Sequence, residues 1–172
     1  MPVFVIVVNA LVWILPAYVA NAAPVVVTKL LRGRIRLHPL DFGRCLPDGR
    51  RVFGDNKTIE GFVGGTLAGV TVAAILESFS LHNLPSGIVL SVGALLGDLA
   101  GAFVKRRMGM KPGDPAPLLD QLDFLLGAFT FHLLVLGELD TAMAGILLLL
   151  TPPIHIATNV FAYAVGLKQH PW

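Results

Sequence analysis

Apolar residues run along this chain in five long stretches, at roughly 3–28, 59–80, 85–104, 118–137 and 140–166. A spanning helix needs about 20 mostly apolar residues, because the hydrocarbon core of a bilayer is about 30 Å thick. Each stretch is about that long, and lipid forces such a segment to satisfy its backbone groups internally, as a helix. The pattern predicts an all-α polytopic membrane protein with five transmembrane helices, forming a single transmembrane domain over 1–172. Two longer polar loops, 32–58 and 105–117, and two very short turns connect the spans.

Within the spans, small and breaking residues recur. Gly61, Gly65 and Gly69 repeat at four-residue spacing, with Gly64 beside them, and Gly93, Gly97 and Gly101 do the same on the next span. Such stripes let helix backbones approach closely in lipid. Because a very short turn joins these two spans, they are expected to pack on each other as an antiparallel hairpin. Either stripe could instead serve a homodimer. The first span holds Pro16 and Pro24, with Tyr18 and Asn21 between them. These residues either bend a packing helix or line the inner end of a cavity. The last span is interrupted by Pro152-Pro153, after which His155 and Asn159 share a face. A hydrogen-bonded packing role is the first reading for that histidine.

Charge orients the molecule. All 13 lysines and arginines lie between Lys29 and Lys57, between Lys105 and Lys111, or at Lys168. Cytoplasmic loops retain Lys and Arg because positive charge resists translocation. With five spans, this places the N-terminus outside, the C-terminus in the cytoplasm, and both long loops on the cytoplasmic side of the cell membrane. At 55% apolar and 14% charged, the chain is not an ordinary soluble domain. The net charge of +2 is small, and no nucleic-acid partner is expected. Cys45 is the one cysteine, so no internal disulfide forms, and no Cys/His metal constellation is present. The first span has no basic segment before it and exceeds the apolar length of a cleavable signal.

The candidate chemistry lies on the cytoplasmic side. Asp98 precedes Lys105 by seven residues, roughly 10 Å of helix. A carboxylate at that depth must pair, face a water-filled cavity or bind a cation. Asp120 and Asp123 share a face at the start of the fourth span. Helix capping explains one of them but not the pair, since adjacent anions repel unless a cation lies between. Asp98, Asp120 and Asp123 are therefore expected to converge on a metal, and hard oxygen ligands suit Mg²⁺, which bridges to substrate phosphates. Around them lie Lys105, Arg106, Arg107 and Lys111 on one loop and Arg50, Arg51 and Lys57 on the other. Thr58 is placed to cap the second span, which sets Lys57 beside backbone N–H groups that can cradle phosphate. Carboxylates for a metal beside cations for phosphate are what a nucleotide-phosphate site requires. The Gly and Lys spacing is not that of a Walker A loop, and no nucleophilic Ser-His or Cys-His unit fits the arrangement.

In order and spacing these segments resemble the CTP-dependent phosphatidate cytidylyltransferases. The resemblance rests on Gly97-Asp98, Lys105-Arg106, Gly109, Lys111, Pro112-Gly113, Asp120 and Asp123, with Lys57-Thr58-Ile59-Glu60-Gly61 upstream. The Arg50–Asp55 run, the short chain and Asp114-Pro115-Ala116-Pro117 in place of a His-Gly-Gly element are similar to the archaeal branch. The resemblance implies a Mg²⁺-dependent reaction of CTP with an isoprenoid glyceryl phosphate, 2,3-bis-O-geranylgeranyl-sn-glycerol 1-phosphate, that gives the CDP-lipid and pyrophosphate. Asp98, Asp120 and Asp123 would hold the metal and, with Lys57 and Lys105, carry catalysis. Lys57, Thr58, Lys105, Arg106, Lys111 and Arg51 would bind substrate phosphate. Asp55 and Asp114 either read cytosine or pair with loop arginines. The alternatives are a CDP-diacylglycerol synthase or another lipid-phosphate nucleotidyltransferase and, further off, a cation transporter, whose site would lie nearer the bilayer midplane.

Overall fold

A computed structural model describes residues 2–168 and 170. Among them are five helices: α1 (Val3–Leu31), α2 (Ile59–Ser78), α3 (Leu84–Arg107), α4 (Leu119–Leu136) and α5 (Thr141–Ala164). All five are long and apolar enough to cross a membrane. The third differs from expectation at its end. Lys105, Arg106 and Arg107 belong to the last turn of α3 rather than to the following loop, where positive charge complements the helix dipole. Thr58 caps α2 as expected, and Asn83 and Asp140 cap α3 and α5. Thr58 Oγ1 accepts from Gly61 N, Asn83 accepts from Ser86 N, and Asp140 accepts from Ala142 and Met143 N.

The glycine stripes pack differently from the expected hairpin. The α2 stripe faces α1: a Cβ on Gly65 would stand 2.7 Å from the Ala20 carbonyl oxygen, and one on Gly69 2.8 Å from that of Pro16. Ala20 is four residues before Pro24, which has no N–H to offer it, so the freed carbonyl lies where α2 comes closest. The α3 stripe faces α4: a Cβ on Gly97 would stand 2.2 Å from the Asp123 carbonyl oxygen, and Gly127 of α4 fits against Gly97 and Gly93. Helices α2 and α3 do touch, through Gly69–Ser91 and Ala73–Gly87. Periodicity marks a close-packing face, but not which helix meets it. The core where α1, α3, α4 and α5 meet holds Ile14, Leu90, Leu125 and Leu147, all fully buried.

At the end opposite the long loops, His132 Nδ1 donates to the Glu138 carbonyl, so its Nε2 accepts from Ser86 Oγ at 2.9 Å. Both side chains are buried and link the start of α3 to the α4–α5 turn. This Ser–His pair lies far along the helices from the carboxylates and works as a structural tie.

Candidate active site

The long loops meet over one end of the helix bundle, and the carboxylates lie beneath them. Lys57 Nζ donates to both oxygens of Asp98, at 2.7 and 2.6 Å. Lys105 Nζ donates to Asp120 Oδ1 at 2.8 Å, while Asp120 Oδ2 accepts from Ala116 N at 2.8 Å. Asp123 lies near both pairs, close enough for the charges of Asp98, Lys57 and Asp120 to act on it. Two of the three lysines expected to meet phosphate, Lys57 and Lys105, therefore rest on aspartates expected to meet metal.

Glycine on α3 makes room for Asp123. A Cβ on Gly101 would come within 2.1 Å of Asp123 Oδ2 and 2.8 Å of its Cβ and Cγ. The expected three-carboxylate cage is not gathered: among the described residues no three His, Cys, Asp or Glu side chains are placed to hold a metal ion. The physical reason is competition, since an ammonium group neutralises each of Asp98 and Asp120 individually. The donor set nonetheless fits a hard divalent ion. Three carboxylates from two helices face one region, and Gly101 leaves the Asp123 oxygen uncrowded.

The loops have their own scaffold, and it engages several residues expected to bind phosphate. Asp41, its side chain fully buried, accepts from Arg51 at 2.5 Å and from the backbone N–H groups of Gly43, Phe53 and Gly54. Burial pushes the Asp41 carboxyl up, but Arg51 and those N–H groups outweigh it and hold the group well below the usual carboxylate range. Arg51 also reaches Asp55 at 2.7 Å, so Asp55 pairs with an arginine. Arg106 is 6% exposed and donates to the Lys111 carbonyl beside Gly54 and Pro112; it supports the 109–113 loop from inside. Thr58 is buried as the α2 cap. Lys111 is exposed, its N–H donating to Asp114. Arg107 clamps the first loop to the end of α3 through Asp48 and the carbonyls of Arg50 and Arg51. Sequence reasoning missed Asp41. Asp41 is one of three aspartates among the arginines of the first loop, with Asp48 and Asp55, and only the closed loop identifies it as the hub.

Helices α1 and α5 complete the enclosure. Tyr18 donates to Thr151 Oγ1 at 2.7 Å, because that hydroxyl gives its own proton to Leu147 O. Phe124, next to Asp123, meets Tyr18 edge-on and stacks on His155 at 6.2 Å. His155 and Asn159 approach at 3.3 Å. Pro24 packs against Gly61 and Gly65. Between α3 and α4 an apolar groove of about 410 Å³ runs past Leu96, Ala100 and Gly101 and includes Asp123 in its lining.

The family model described as CarS-like CDP-archaeol synthase matches residues 3–172. A CDP-archaeol synthase of Thermofilum pendens is 51% identical over 95% of this chain and 80% of its own length. One of Aeropyrum pernix is 46% identical over 95% and 91%, and one of Pyrococcus furiosus 42% over 93% and 95%. A solved structure of an intramembrane enzyme for archaeal membrane lipid biosynthesis superposes with a TM-score of 0.78, at 41% identity over 90% of this chain and 94% of that one. Five spanning helices and this likeness define a polytopic membrane enzyme of lipid synthesis. Within that class, the chain belongs to the CarS-like CDP-archaeol synthase family.

Proposed function

We propose that this protein transfers the cytidylyl group of CTP to an isoprenoid glyceryl phosphate at the cytoplasmic face of the membrane, forming CDP-archaeol and pyrophosphate with Mg²⁺. The observation that carries the reading is the interleaving of Lys57–Asp98 and Lys105–Asp120 around Asp123. A site of alternating ammonium and carboxylate groups suits a substrate that is itself polyanionic and metal-chelated.

In this reading a lipid phosphate oxygen attacks the α-phosphorus of CTP. The new P–O bond forms there as the bond to the α–β bridging oxygen breaks, and pyrophosphate leaves with that electron pair. A phosphate is already nucleophilic, so no protein nucleophile is required, and catalysis is positioning and charge stabilisation. Lys57 and Lys105 swing from their aspartates to the triphosphate and neutralise the departing β- and γ-phosphates, with Lys111 nearer solvent. Asp98, Asp120 and Asp123 would hold Mg²⁺, which when bound supplies charge neutralisation across the phosphates. Arg51 and Arg106 shape the loops rather than touch substrate. The groove beside Asp123 takes the apolar chains, open to lipid.

The test uses purified protein, Mg²⁺, the lipid phosphate and nucleoside triphosphates labelled on the α- or the γ-phosphate. Only α-label from CTP should enter the organic phase. Asp123→Asn should abolish transfer while the protein stays folded in detergent; retained turnover in that variant would remove Asp123 from the reaction.

A further inference from the structure

Beyond α5 the chain folds back towards the site. Gly166, with φ 71°, closes a Schellman turn in which Leu167 N bonds to Ala162 O at 2.7 Å and Gly166 N to Tyr163 O at 2.9 Å. Lys29 from the end of α1 donates to the Gly166 carbonyl and pins that turn. Lys168 is thereby carried back along α5, where its Nζ donates to Asn159 Oδ1 at 2.9 Å. A continuous line of side chains then runs from Lys168 to Asn159, His155 and Phe124, which adjoins Asp123. The charges of Asp120, Lys57, Asp98 and Lys105 all act on Lys168. It therefore lies near these groups on the α5 side of the enclosure.

We infer that Lys168 is a further phosphate-binding ammonium of the site, brought in by the C-terminal turn to receive a phosphate of one of the two substrates. The inference rests on the cytidylyl-transfer reading. Two phosphate-bearing molecules must approach each other there, and Lys57 and Lys105 both project from the α2–α3 side. A cation on α5 supplies counter-charge from the other side, which a close approach of two anions demands.

The experiment measures kcat and both KM values of the full chain in lipid nanodiscs, for wild type, Lys168→Gln and Lys168→Arg. Glutamine keeps a donor for Asn159 and loses the charge. It should raise one KM by about tenfold or more, the scale of a charge-assisted hydrogen bond, with an unchanged melting temperature, and arginine should restore most of the loss. A rise in the KM for CTP assigns Lys168 to the triphosphate; a rise in that for the lipid assigns it to the lipid phosphate. Unchanged constants in Lys168→Gln, or a loss that arginine fails to restore and that follows a lowered melting temperature, would overturn the assignment. A wild-type protein that transfers no cytidylyl group would instead overturn the reading beneath it.

Discussion

Individual side chains decide how Asp123 is held. Gly101→Ala would drive a methyl group into Asp123, and misplacement of a catalytic group by about 1 Å costs on the order of a hundredfold in rate. Turnover should fall by about that factor while the helical fold persists, which circular dichroism alongside the label-transfer assay would show. Asp41 sets a pH limit. Its carboxyl is depressed in the folded protein, so the stabilisation is fully present above the ordinary carboxylate pKa of about 4 and fades as pH falls below it. Limited proteolysis should find loop 32–58 resistant at neutral pH and cleaved in acid. Asp41→Asn, which removes the charge shared by Arg51 and three backbone N–H groups at a cost on the order of 2 kcal/mol, should be cleaved at both. Asp98, Asp120, Asp123, Lys57 and Lys105 were legible in the sequence because charge near a span is costly and demands a purpose. Which charge rests on which was not legible, because each carboxylate has several cations within reach and only the closed loops choose.

At the scale of helices, the closest backbone approach is α3 on α4. Gly127→Ala would place a Cβ 2.4 Å from the Gly97 Cα, and backbone cannot yield as a side-chain tip does. Overpacking of this kind costs about 1–3 kcal/mol, so the melting temperature in detergent should drop. Gly145→Ala, with nothing within 4 Å, is the matched control and should leave it unchanged. The five spans and the cap at Thr58 were readable from hydropathy and spacing. The pairing of the glycine stripes was not: the α2–α3 turn is short, yet the stripes turn towards α1 and α4, where a proline-freed carbonyl and the Asp123 backbone come closest.

Across the whole molecule, the two loops, the ends of α1 and α5 and all the carboxylates of the site lie together, as contacts from Lys29 to Gly166 and from Lys57 to Asp98 show. Cys45 is exposed in the first loop and reports which side of the membrane that assembly faces. A membrane-impermeant maleimide should label it in inverted vesicles and not in intact cells; the opposite pattern would reverse the orientation expected from the basic residues. The paired lysines and aspartates also bear on nucleotide choice. Opening both ion pairs requires a guest with enough negative charge to draw two ammonium groups away at once. A spent nucleotide such as CMP carries the same base but too little charge for that exchange. Such a molecule would leave the pairs shut and compete feebly with fresh CTP, so an accumulating pool of spent cytidine nucleotide would barely slow the proposed reaction.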